Sequence, residues 1–150
     1  MSDFLAGKAV RKLNKGMRTV SNSLAIANGV TDMFTVVGGS IFAHQLVGRV
    51  TTQIGAATTT CRVRFNPDLA ATINLAAVVS IAGHDVGTMY SITGTAATLQ
   101  TSAQVLATQA REIMLPTGTV AQVTSAARAG RIVWELFYTP IDDGAYVVAV

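Results

Sequence analysis

The stretch "GRIVWELFYTPIDDGAYVVAV", residues 130–150, decides the fold class. In an extended chain successive side chains point to opposite faces, so Ile132, Trp134, Leu136 and Tyr138 share one face. Val133, Glu135, Phe137 and Thr139 share the other. Both faces are substantially apolar, which predicts an interior strand with one face on the core and one against another layer. Pro140 has no amide hydrogen to donate and ends the ladder. Asp142-Asp143-Gly144 then reads as a turn, and "AYVVAV" returns as the second arm of a closing hairpin.

The same alternation recurs upstream. In "TTTCRVRF" (58–65) Thr59, Cys61, Val63 and Phe65 take one face, and Thr60, Arg62 and Arg64 the other. "MFTVV" runs into Gly38-Gly39. "SIFAHQLVGRVTTQI" (40–54) predicts one bent strand or two short ones, with Gly48 at a bulge. "NPD" (66–68) marks a turn. "ATINLAAVVSIAG", "GTMYSITG" and "LPTGTVAQVTS" supply further strands. "AATLQTSAQVLATQAREIM" (96–114) mixes helix-favouring Ala, Gln and Leu with Thr, and reads as a long connection with at most a short helix. Eight to ten short strands in about 120 residues predict an all-β sandwich or jelly-roll-like body.

The first 30 residues differ. Val10, Leu13, Met17, Val20 and Leu24 are spaced 3, 4, 3, 4, the pattern of an apolar helix stripe. Lys8, Arg11, Lys12, Lys15 and Arg18 surround it. They are opposed only by Asp3, so residues 1–18 carry +4 of a chain whose total is +3. Gly7 and Gly16 weaken an isolated helix by about 1 kcal/mol each. The expectation is an extended or partly helical basic arm, residues 1–30, that orders on a partner. "NGVTD" (28–32) would be the hinge into a β body of residues 31–150.

Composition bounds the function. A chain of 150 residues is the size of one domain. Only 13% of it is charged, about half the usual share, so little charge is available to cover a free surface. That favours self-association or burial against a partner. No run of about 20 predominantly apolar residues is present, so no membrane span is predicted.

Candidate chemistry is sparse. A phosphate-binding loop around Gly7-Lys8 would need Gly where Ser2 stands, and Ser or Thr where Ala9 stands. Ser40 has Gly38 behind it but Phe42 ahead, so it is no nucleophile elbow. The titratable candidates His44, His84 and Cys61 lack metal-ligand spacing. His84-Asp85 sits between glycines and reads as a turn. Cys61, the only cysteine, reads as a buried hydrophobe. Asp142 and Asp143 are adjacent and fit a turn better than an acid–base pair. No catalytic residue, metal or cofactor is predicted. The five cations could contact phosphates, but no aromatic interleaves with them, which disfavours nucleic acid. An acidic protein surface is the preferred partner of the arm.

The ordered series "LVGRVTTQIGAATTT", "VGTMYSITG", "IMLPTGTVAQVTS" and "GRIVWELFYTPIDDGAYVVAV" resembles small virion structural proteins of tailed bacteriophages. The resemblance spans about residues 45–150 and leaves out the arm. It implies a β-sandwich subunit on the capsid surface, a decoration or cement protein. Such a subunit binds the major capsid protein and associates with itself, as a trimer by preference or as a dimer. A tail, neck or head-fibre component is the alternative on the same body, and a nucleic-acid-binding protein acting through the arm is a third. The partner-binding residues are then Lys8, Val10, Arg11, Lys12, Leu13, Lys15, Met17, Arg18, Val20 and Leu24.

Overall fold

A computed structural model describes Gly7, residues 16–103 and residues 108–150. The strands are β1 (Met17–Val20), β2 (Leu24–Ile26), β3 (Gly29–Val37), β4 (Ile41–Thr52), β5 (Thr60–Pro67), β6 (Ile73–Ser80), β7 (Met89–Ser91), β8 (Gln100–Ser102), β9 (Ile113–Leu115), β10 (Gly118–Thr124), β11 (Arg128–Pro140) and β12 (Tyr146–Ala149). They build two antiparallel sheets. One has the order β1-β11-β4-β7-β8, with β2 also on β11 and β9 also on β4; the other is β12-β3-β10-β5-β6. The fold is therefore an all-β sandwich, as the alternation predicts.

The core lies between the sheets. Ile132, Trp134, Leu136 and Tyr138 of β11 are buried against Phe34, Val36, Val63, Phe65 and Val120 of the other sheet. Thr59, Cys61, Val63 and Phe65 are buried as read from their spacing. The polar tips of the large aromatics are all used, which makes their burial tolerable. Trp134 Nε1 donates to Gln122 Oε1 at 2.9 Å, and Gln122 Nε2 donates to Ala25 O at 3.1 Å. Val147 N donates to the Tyr138 hydroxyl at 3.2 Å. Each of these bonds ties one sheet to the other.

The closing segment is not a hairpin. β11 belongs to one sheet and β12 to the other, where it pairs with β3. The reason is that both edges of β11 are taken, one by β4 and the other by β1 and β2. The acidic turn instead docks on the start of β4: Ser40 N donates to Asp142 Oδ2 at 2.7 Å, and Ile141 N to Ser40 O at 2.9 Å. The chain thereby crosses between layers.

β1 and β2 also correct the reading of residues 17–24 as part of a helical stripe. Met17 pairs with Tyr138, Val20 with Glu135 and Leu24 with Ile132, all extended. The three apolar residues do not share a face: Leu24 is buried, Met17 is half-buried and Val20 is exposed. Ser21 locks the junction by donating from its amide to Trp134 O and accepting from Trp134 N through its hydroxyl. The hinge expected at 28–32 lies inside β3, which starts at Gly29, so a boundary at residue 30 falls within a strand. Lys8, Val10, Arg11, Lys12, Leu13 and Lys15 lie outside the described residues.

Gly48 is not a bulge. β4 runs through it in register with Trp134, and the irregularities fall opposite Arg131/Ile132 and Phe137/Tyr138. A Cβ at Gly48 would sit 2.9 Å from the Trp134 ring, so the glycine clears space for the indole. Within 96–114 the described residues form β8, β9 and loop, with no helix; residues 104–107 lie outside the described residues.

Both flanks of the sandwich are bridged. On one, Asn22 Nδ2 donates to Val150 O at 3.1 Å and Thr19 Oγ1 to Val147 O at 3.4 Å. On the other, Ala77 of β6 exchanges bonds with Ala97 O and Leu99 N ahead of β8. Such bridges blunt the open edges that a sandwich otherwise exposes.

Candidate interaction surfaces

The residues able to do chemistry are mostly held in structural roles. Cys61 is fully buried, and burial pushes its thiol up to about 12, so it carries no thiolate at neutral pH. His84 sits in the turn between β6 and β7. Its Nδ1 lies 2.7 Å from the Tyr90 hydroxyl, and the two rings stack at 5.8 Å. Burial lowers the His84 pKa, with Asp85 opposing the shift. Asp85 accepts from Gln53 Nε2 at 2.8 Å. Among the described residues no three His, Cys, Asp or Glu converge to hold a metal.

The sequence reading missed one polar chain. His44 Nδ1 lies 2.7 Å from Glu112 Oε1, and His44 Nε2 lies 2.5 Å from Thr139 Oγ1. His44 is the extra residue in β4 where the register with β11 shifts, which swings its ring over the outer face. Hydroxyl, imidazole and carboxylate in a row have the order of a nucleophile, base and orienting acid. Thr139 is exposed and lines neither of the two clefts found among the described residues. The chain instead ties β9, β4 and β11 together at one end of the sheet.

That end carries an exposed apolar pair. Phe42 and Met114 face each other across β4 and β9, one rank beyond His44 and Glu112, and are 38% and 59% exposed. Beside them opens an apolar cleft of about 340 Å³, lined by Ile73, Leu75, Ile113, Met114, Leu115 and the loop Gly94–Ala96. Ala96 holds φ at +57°, a conformation that costs an alanine about 1 kcal/mol or more. Among the described residues, Glu112, held by His44, and Asp142, held by Ser40, are carboxylates near this end.

The basic stretch joins the body at the same place. Gly16 has φ +76° and lies so close to the Tyr138 carbonyl that a Cβ could not fit, and Thr139 Oγ1 is its next neighbour. Thr139 pairs with Phe42. Of the cations predicted to bind a partner, Arg18 is instead engaged at home: its Nε donates to Glu135 Oε2 at 2.9 Å. That bond raises the Arg18 pKa. The pairing of Phe42 with Met114 spans distant parts of the chain, and no local spacing signals it. Comparison with known protein families, curated proteins and solved structures finds no match for this chain.

Proposed function

We propose that this protein is a virion structural protein that binds the outside of a phage head as a decoration or cement subunit, with the major capsid protein as its partner. The observation that carries the reading is the end of the sandwich described above. There an exposed Phe42–Met114 pair and an apolar cleft sit near Gly16, and the sequence just before Gly16 carries Lys8, Arg11, Lys12 and Lys15. Apolar surface supplies adhesion, and a charged stretch attached to the same site adds a second contact that is effectively intramolecular once the first has formed. The resemblance over residues 45–150 and the all-β body support the same reading.

The test is occupancy on purified, undecorated heads. Removing residues 2–15 should leave the body folded and lower occupancy at least tenfold. Phe42→Ser combined with Met114→Ser should do likewise. Normal occupancy of both variants would overturn the proposed docking end. Binding only to tails or necks would favour the alternative virion component.

A further inference from the structure

We infer that the outer face of the β12-β3-β10-β5-β6 sheet is a self-association surface, and that its occupant is the same face of a second copy related by a two-fold axis along β10. This goes beyond the virion reading and stands without it.

The face is apolar for an outer layer. Val30, Thr35, Thr119, Ala121, Val123 and Val148 point outward from its three leading strands, since Phe34, Val36, Val120 and Gln122 between them point into the core. β10 is the central strand of the five. One rank across it reads Asp32, Ala121, Arg64, and the next reads Val30, Val123, Arg62. Asp32, Arg62 and Arg64 make no ion pair with the described residues. Arg64 Nε is buried and has no hydrogen-bond partner among them.

The register makes this face complementary to itself. Rotation by 180° about an axis along β10 exchanges the β3 side with the β5 side. Asp32 of each copy is then laid over Arg64 of the other, Val30 over Arg62, and Val123 over Val123. Ala121, only 2% exposed, is already covered within its own copy, so on the axis the contact falls to half-buried Val123. Five strands about 4.8 Å apart and about seven residues long give a face of roughly 24 by 23 Å. That is about 550 Å² per copy, or about 1,100 Å² in total, which reaches the lower end of specific interfaces. An interface of that size belongs with the weak, transient ones.

Sedimentation velocity of the full chain between about 5 and 200 µM tests the inference. Wild type should pass from monomer to dimer across that range. Asp32→Arg alone and Arg64→Asp alone should each weaken the dimer at least tenfold, because like charges then oppose across the axis. An equimolar mixture of the two variants should dimerise again, since each supplies what the other lost. Restored assembly also shows that both variants are folded. Val123→Glu, which places two carboxylates on the axis, should abolish the dimer in a chain that still unfolds cooperatively. Wild type that remains monomeric at 200 µM, single variants that dimerise normally, or a mixture that fails to associate while wild type does would each overturn the inference.

Discussion

At the scale of the residue, Trp134 is the point on which the sandwich turns. Its indole lies across Gly48, its Nε1 donates to Gln122, and its backbone pairs with Ser21. Trp134→Ala should therefore cost about 3–5 kcal/mol, seen as a lowered denaturant midpoint. Gly48→Ala should be destabilising by about 1–3 kcal/mol through overpacking. In the background of Trp134→Ala the same change should be nearly silent, and an equal loss in both backgrounds would contradict the proposed clearance. His84 gives a pH signature. Burial holds its folded pKa below the ordinary value, so the unfolded chain binds the proton more readily. Stability is then fully present above about pH 6.5 and is lost as pH falls toward the folded pKa. His84→Gln should flatten the thermal midpoint between pH 7.5 and 5.5; an unchanged slope would contradict the assignment. The inward face of β11 was legible from alternation alone. The role of Gly48 was not, because a glycine in a strand signals a bulge and a close approach equally, and only the register separates them.

At the scale of the element, β1 and β2 matter most. They cover the edge of β11 and place Leu24 and Ile26 in the core. Removing residues 2–15 should shift the thermal midpoint by no more than about 2–4 °C, the effect of roughly 1 kcal/mol in a chain of this size. Removing residues 2–26 should abolish cooperative unfolding, because the edge of β11 and its neighbouring core are stripped. Cooperative unfolding of the longer deletion near the wild-type midpoint would contradict the placement of both strands. The spacing of Met17, Val20 and Leu24 fits a helix stripe, yet two strands of four and three residues are too short to show a period of their own. What decides between the readings is the free edge of β11, which lies more than 100 residues away in sequence. The same nonlocal fact converts the expected closing hairpin into a crossing between sheets.

At the scale of the whole molecule, the two sheets close on each other at both flanks, and the surfaces left over differ in kind. One end offers an apolar pair and a cleft near Gly16, which follows the basic stretch in sequence. The outer face of the second sheet offers exposed Val30 and Val148 beside Asp32, Arg62 and Arg64, ranked across β10. Composition, with 13% charged residues, led to the expectation of covered surface, whereas the charge ranks depend on strand register and could not be read without it. Both proposals, docking on a phage head and self-association, rest on these surfaces. The most direct test is an electron-microscopy map of the intact particle, with and without this protein. The account predicts sandwich-shaped density on the outer surface of the head, with the Phe42–Met114 end turned toward the shell and the density lost from particles lacking the protein. Identical maps, or density confined to the tail or the head interior, would contradict it.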